Sequence, residues 1–420
     1  MRDATDRLPR TSLLVRLRSR LRGLCTVLML GVLVAGCATP QRLPAVPRAS
    51  TLQAETGLGP IRYFVTRDVA GFTKEAYASL DRELAWRASQ GQTGPLPPVY
   101  FLAISGGGEN GAFGAGLLKG WTESGKRPEF KAVTGISTGA LTAPFAFLGP
   151  KYDHVLEEVY TQTTKDDIFK MRGMIKGFFS DAMADTTPLY QLVSRYADQA
   201  LLDAIAAEYA KGRLLMVGTA DLDTLEPVIW NMTAIAASKD PRALELFRKV
   251  LVASASIPAV FPPMMIDVTV DGTRYQEMHA DGGTIAQVFL YPPSLHISQQ
   301  GPAANRERHL YIIRNARLDP DWADVQRRTL SVAGRALGSL TQTQGIGDLY
   351  RIYTTTQRDK IDYNLAYIPR SFDVPLPEPF DQHYMQELYA TGRKMSVGGF
   401  PWEKYPPGYT PNEPHRADDR

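Results

Sequence analysis

The sequence predicts an α/β fold with a mainly parallel sheet, on three observations. Val99-Tyr100-Phe101-Leu102-Ala103-Ile104 and Leu214 to Ala220 are continuous apolar runs, the pattern of strands buried on both faces. Segments with a helical period stand between such runs. Glycine-rich turns join strand to helix at Gly106-Gly107-Gly108 and at Gly135.

Taken in order, residues 72–90 have the pattern of an amphipathic helix that stops near Gly91 and Gly94. Pro95-Leu96-Pro97-Pro98 then introduces the main domain, whose first strand is 99–104. A helix is expected over Ala112–Glu123, a short strand over Lys131–Thr134 and a helix from Thr138 to about Phe147. Further on, a strand is expected over Leu214–Ala220 and a helix over Arg242–Ala255. Met264–Val270 and Thr273–Met278 flank Asp271-Gly272, a hairpin signal. His309–Arg314 reads as a strand and Trp322–Leu340 as a helix. From Pro401 onward the sequence is Pro-rich and polar, and a frayed tail over 401–420 is expected. The catalytic domain is expected over 96–320, with a C-terminal elaboration over 321–400. No internal repeat is visible.

The chain has 420 residues, 44% hydrophobic and 22% charged, which excludes a disordered or collagen-like chain. Arg16, Arg18, Arg20 and Arg22 precede an apolar run from Leu24 to Ala35, the pattern of a secretory signal over residues 1–36. Leu33-Val34-Ala35-Gly36-Cys37 resembles the lipobox of bacterial lipoproteins. That resemblance implies a lipidated Cys37 and a tether with an N-terminal segment over 37–95. Ala38, being no Asp, implies sorting to the outer membrane. Residues 1–36 hold seven Arg and two Asp of the chain's 47 basic and 44 acidic residues, so the remainder has 40 and 42, a net −2. The surplus of positive charge thus belongs to the export signal and gives no ground for nucleic-acid binding. Cys25 and Cys37 are the two cysteines, so the body beyond residue 37 has no disulfide and no cysteine nucleophile. No His/Cys/Asp/Glu spacing suggests a metal site, and no cofactor is expected.

Gly135-Ile136-Ser137-Thr138-Gly139 places a serine at a strand-to-helix turn. Such a turn pushes the hydroxyl out of the sheet at a helix N-terminus, where developing negative charge is favoured. Ser105-Gly106-Gly107-Gly108-Glu109-Asn110-Gly111 follows a buried strand, and its backbone N–H groups can point at an oxyanion. Gly106, Gly108 and Gly111 also spell a dinucleotide fingerprint, which requires an acidic residue about 20 positions on at a strand end. Glu129 has roughly that spacing but precedes its strand. A Walker loop is excluded, because Ala112-Phe113 stands where Lys-Ser/Thr is needed. His279-Ala280-Asp281-Gly282-Gly283 puts an aspartate at a strand end before a sharp bend, although Asp-Gly-Gly is also a common turn.

These elements, in this order, resemble the patatin-like phospholipase family. Ala253-Ser254-Ala255-Ser256-Ile257-Pro258-Ala259-Val260-Phe261-Pro262-Pro263 adds a fourth match, and the resemblance covers roughly residues 99–290. It implies a three-layer α/β/α fold and a Ser-Asp dyad without a histidine relay. Ser137 would be the nucleophile and Asp281 the base, Gly106, Gly107 and Gly108 the oxyanion loop, and Gly135 and Gly139 the elbow. The implied partner is a phospholipid or lysophospholipid substrate, with the membrane reached through Cys37. Glu109-Asn110 stands where many members carry a cation, and Asn110 is left as a hydrogen-bond donor. Two other readings stay open. One is a catalytically silent envelope lipoprotein that binds lipid or a partner. The other is an α/β-hydrolase triad using His296, His309 or His383, although Ser105 stands where that fold's oxyanion motif has histidine. Residues 170–179, with Phe178-Phe179 among cations, read either as a lid or as an ordinary packed helix.

Overall fold

The computed structural model describes residues 41–172, 180–297, 303–320 and 322–411. Residues 1–36, where a signal is expected, Cys37 and Phe178-Phe179 lie outside the described residues.

The strands are β1 (Arg62–Phe64), β2 (Val99–Ile104), β3 (Ala132–Ile136), β4 (Lys170–Met171), β5 (Ala184–Asp185), β6 (Leu214–Asp221), β7 (Glu226–Asn231), β8 (Met264–Val270), β9 (Thr273–Asp281), β10 (Arg308–Arg314) and β11 (Asp362–Tyr367). The main sheet runs β1-β7-β6-β3-β2-β10-β11, with β9 also paired to β6 and β8 to β9. From β6 to β11 neighbours on this path are parallel, and β1, β7, β8 and β9 add antiparallel pairs. The mainly parallel sheet read from the apolar runs is therefore present. β6 is buried at every residue and β2 at four of six, as two covered faces require.

The helices are α1 (Val69–Ser89), α2 (Gly111–Glu123), α3 (Thr138–Leu148), α4 (Asp153–Gln162), α5 (Lys165–Ile168), α6 (Thr187–Tyr196), α7 (Gln199–Ala210), α8 (Met232–Ala237), α9 (Ala243–Ser254), α10 (Thr329–Asp359) and α11 (Gln382–Val397). Phe113, Leu117 and Leu118 of α2, Phe147 of α3 and Phe247 of α9 join the largest core, on one face of the sheet. On the other face Leu349, Ile352 and Tyr353 of α10 cover Ala103, Leu310, Ile312 and Leu365. Phe72 of α1 packs with Tyr63, Met216 and Ile229. The result is helix, sheet, helix. Each fully buried large apolar side chain adds about 1.5–3 kcal/mol by leaving water.

Two expectations change. The helix expected over 322–340 begins at Thr329 and runs to Asp359. Its C-terminal half carries the apolar residues that pack, and these lie beyond the stretch that the sequence marked. The expected fraying from Pro401 does not hold for residues 401–411. Trp402 packs on Trp121 and Tyr311 with ring centroids 4.9 and 4.8 Å apart, and Glu403 bridges Leu365. Aromatic burial outweighs the polar, Pro-rich character of that stretch. β11 and α11 also lie beyond residue 320, yet β11 completes the main sheet and α11 packs on α2. The Asp271-Gly272 hairpin is as expected, with both residues at positive φ.

Candidate active site

β2, β3, β6 and β9 lie side by side, and their C-terminal ends, or for β9 the residue paired with Thr219 of β6, supply the site. Strands stand about 4.8 Å apart, so the loops leaving β2 and β3 and the end of β9 come within side-chain reach.

Ser137 follows β3 directly with φ 55° and ψ −126°, a conformation that costs on the order of 1–3 kcal/mol and holds only where the surroundings enforce it. Several contacts enforce it. Ser137 O accepts Ala140 N–H at 2.9 Å, which starts α3, and Ser137 N–H donates to Ser254 Oγ at 3.0 Å. Ser254 Oγ in turn donates to Gly218 O at 2.7 Å. At Gly139 a Cβ would collide with the carbonyls of Ile104 and Ser105, so only glycine lets α3 start this close to β2. The helix dipole of α3 then points its positive end at Ser137.

Asp281 is 4% exposed and ends β9. Its N–H donates to Ser256 O at 2.9 Å, and its carboxylate accepts Gly283 N–H at 2.7 Å. The Ser137 side chain lies beside that carboxylate and favours its charged form. Burial pushes the Asp281 carboxyl up to about 6, against the pull of Ser137 and the Gly283 N–H. Ser137 and Asp281 are thus brought together, and the segment 253–263 holds both: Ser254 grips one backbone and Ser256 the other.

The three glycines of the oxyanion loop separate. Gly106 N–H donates to Gln287 O at 3.1 Å and is not free to bind an oxyanion, which corrects the expected role of Gly106. Among the described residues the N–H groups of Gly107 and Gly108 have no acceptor. Gly107 has φ 157°, and a Cβ there would strike Asn315 O. Asn315 itself donates from Nδ2 to Ser105 O at 3.0 Å and accepts Gly114 N–H at 3.1 Å, bracing the loop. Asn110 Oδ1 accepts the Tyr384 hydroxyl at 2.7 Å, which leaves its Nδ2 as the donor. Burial raises the neighbouring Glu109 carboxyl.

His309 and His296 do not approach. His309 starts β10, at the far end of the strands from Ser137, and bonds Glu307 and Asp362 at 2.8 and 3.1 Å. His296 is exposed and lies by Val99 and Lys131, at that same far end. His383 is exposed on α11. The buried histidine of the site strand, His279, faces Thr219 and Glu277, and burial lowers it to about 4.

Gln287 was not foreseen. Its main chain accepts Gly106 N–H, its Nε2 donates to Gly283 O at 2.6 Å, and its N–H donates to Asp348 Oδ2 at 2.6 Å. Gln344 of α10 donates to Ile285 O beside it. One residue therefore ties the oxyanion loop to the Asp281 turn, and α10 supports it.

Ser137 and Gly108 open into an apolar cavity. Leu141, Pro144 and Phe145 of α3, Val159 and Tyr160 of α4 and Leu189, Val193 and Tyr196 of α6 line it, with Leu251, Phe261 and Met385. An alkyl chain fits such a wall, and a charged group does not. Tyr160 is held by Thr142 Oγ1 at 3.0 Å and Thr138 O at 3.1 Å, so its hydroxyl is satisfied.

Residues 102–292 match the family model described as patatin-like phospholipase. The chain carries a patatin-like phospholipase domain. The matched span contains Gly107, Ser137, Ser254, Asp281 and Gln287. Solved structures similar to the chain include VipD from Legionella pneumophila, 11% identical over 72% of this chain and 67% of that one, with a TM-score of 0.35. Human GIVD cytosolic phospholipase A2 is 11% identical over 63% and 50%, TM-score 0.30. The type III effector protein ExoU is 12% identical over 72% and 53%, TM-score 0.27. The chain spans about half the length of the latter two. Comparison with curated proteins gives no match.

Proposed function

We propose that this domain cleaves carboxylic esters of phospholipids or lysophospholipids through a Ser137-Asp281 dyad and an acyl-enzyme. The observation that carries the reading is the Ser137 side chain set beside the buried Asp281 carboxylate, which burial raises to about 6. A carboxylate near its ordinary value is a weak base, and a raised one accepts the serine proton far better at neutral pH.

Ser137 Oγ attacks the acyl carbon while its proton passes to Asp281. The carbonyl oxygen becomes an oxyanion against the N–H groups of Gly107 and Gly108, each donor contributing about 3–4 kcal/mol in comparable sites. The intermediate collapses, the C–O bond to the leaving alcohol breaks, and Asp281 returns the proton to that oxygen. Water then attacks the acyl-enzyme with Asp281 again as base, and the free acid leaves. The apolar cavity takes the acyl chain. Glu109-Asn110 follows the glycine loop where many members of the family carry a cation, which favours a leaving group recognised by shape over one gripped by charge. A lipidated Cys37 in the outer membrane would hold the domain where such esters are concentrated.

The test is labelling with a fluorophosphonate probe together with a panel of phospholipids and lysophospholipids. Wild type should label and hydrolyse, Ser137→Ala should do neither, and Asp281→Ala should lose hydrolysis. Equal labelling of wild type and Ser137→Ala, or no labelling at all, would sink the nucleophile assignment and favour a silent lipid-binding protein.

A further inference from the structure

Three parallel strands start side by side at one edge of the sheet, β2 at Val99, β3 at Ala132 and β6 at Leu214. The residues that lead into them line a groove together with the end of α1. Pro97 and Pro98 precede β2, the turn 125–129 and Lys131 precede β3, Lys211 and Arg213 precede β6, and Trp86 and Arg87 come from α1. Ser137 leaves the opposite end of β3, six residues and about 20 Å from Lys131. The groove is therefore separate from the catalytic cavity, and its side chains have no part in the ester chemistry.

Its charges balance only in part. Arg127 is held by Asp153 at 2.7 Å. Lys211 and Arg213 share Glu208 at 2.7 and 2.8 Å, and Glu129 stands 3.8 Å from Arg213. These three cations meet three acids. Lys131 and Arg306 do not balance, because both use one carboxylate, Glu83, at 2.8 and 2.7 Å. Their side chains are only 15% and 7% exposed, so two cations and one acid are largely withdrawn from water. Such an excess is costly, and burial lowers the Lys131 ammonium to about 8 despite Glu83. Arg82, the next cation behind it, is matched by Glu75 at 2.7 Å. At the rim stand two further cations. Among the described residues Lys126 meets no acid, and Arg87 bonds only the Pro95 carbonyl, at 3.3 Å. One unmatched charge on the floor and two at the rim make three, in a body whose net charge is −2.

We propose that this groove is a binding site for a small anion carrying two or more phosphate charges, with Lys131 at its floor and Lys126 and Arg87 at its rim. A compact polyanion supplies the negative charge that Glu83 alone does not. Lys131 has donors beyond those given to Glu83 and to Ser79 O, the latter at 3.3 Å, and the guanidinium of Arg87 has a nearly free fork, the shape that matches phosphate oxygens. A fatty-acid product fits less well, since it brings one charge and a long alkyl chain to a wall of cations and prolines.

The experiment is calorimetric titration of the full chain with pyrophosphate, tripolyphosphate and citrate. Tripolyphosphate should bind one to one and more tightly than pyrophosphate, and added salt should weaken both. Arg87→Gln with Lys126→Gln removes no ion pair, so it should leave thermal unfolding unchanged and weaken tripolyphosphate roughly tenfold or more. Lys131→Gln leaves Glu83 matched by Arg306 alone and should weaken it at least as much. Lys74→Gln, outside the groove, should change nothing. Trp86 is 37% exposed at the rim, so its fluorescence should shift on binding, and Trp86→Phe should abolish the shift. Vesicles of phosphatidylcholine with phosphatidic acid offer the same group on a lipid. The difference in vesicle binding between wild type and the Arg87-Lys126 variant cancels any attachment through the N-terminus. A difference there makes a lipid headgroup the source of the phosphate, and its absence beside tripolyphosphate binding makes the source a soluble compound. No binding of either phosphate anion, binding unmoved by the Arg87-Lys126 variant, or an equal loss in Lys74→Gln overturns the site. Citrate bound as tightly as tripolyphosphate overturns the choice of phosphate.

Discussion

Ser254 Oγ accepts the backbone N–H of Ser137 at 3.0 Å and donates to Gly218 O at 2.7 Å, so the strained turn of the nucleophile is fastened to the start of the segment that also holds Asp281. Both groups that Ser254 satisfies are buried. Ser254→Ala leaves a donor and an acceptor without partners, and each such loss costs about 1–3 kcal/mol. Chemical denaturation should show that drop, and kcat on a soluble ester should fall with it as the turn relaxes. A variant with unchanged stability and kcat would mean that the turn is held by the glycine packing alone.

Asp281 sets the pH dependence. Its folded value of about 6 means that kcat/KM should rise with pH through that point and level off above it. The same shift has a stability consequence of the opposite sense. Between about pH 4 and 6 the folded protein holds a proton that the unfolded chain has released, so stability falls as pH rises through that window. Above it the full penalty of a buried carboxylate applies, on the order of 3 kcal/mol. Asp281→Asn should therefore be inactive and more stable than wild type at pH 8, by thermal unfolding. An inactive variant of equal or lower stability would show that the carboxylate is not under desolvation strain.

Gln287 is a positioning residue, joined to Gly106 by its main chain and to Gly283 by its side chain. Gln287→Ala keeps the first link and loses the second, so the Asp281 turn loosens. kcat should fall about tenfold with KM little changed, because acyl-chain binding lies elsewhere. Gln287→Glu keeps the reach but puts a second carboxylate near Asp281, and the inflection of the pH profile should move up. An unmoved inflection in Gln287→Glu would reduce Gln287 to ordinary packing.

Ser137 and Asp281 were legible because their signals are local: a glycine on each side of the turn, an apolar run before it, and an aspartate at the end of a hairpin strand. The parallel sheet was legible for the same reason, in β2 and β6. Gln287 was not, since its meaning depends on Asp348 and Gln344, which α10 brings in from some sixty residues away. α10 itself was misplaced because Gly334, Gly338, Gly345 and Gly347 and a run of Thr and Gln break the apolar period before Leu349. The docking of Trp402 on Trp121 and Tyr311 depends on a surface that exists only once β10 and α2 are packed. Gly106 illustrates a subtler limit: three consecutive glycines look alike in sequence, and only the Gln287 carbonyl distinguishes the first.

The cavity wall sets the chain length that can be cleaved. Ala197 lies buried in it and is not among the groups that touch the ester. Ala197→Phe adds a ring to space that an alkyl chain would fill and leaves Ser137, Asp281 and the glycine loop untouched. Each methylene excluded from an apolar wall costs about 0.8 kcal/mol. Loss of two or three should lower kcat/KM for a palmitoyl ester by roughly ten- to fiftyfold. A butyryl ester is too short to reach the blocked region and should react at close to the wild-type rate. The ratio of the two rates is the measurement, since any general damage from overpacking would lower both together. If both esters slow equally, or if the palmitoyl rate is unchanged, the acyl chain binds outside this cavity.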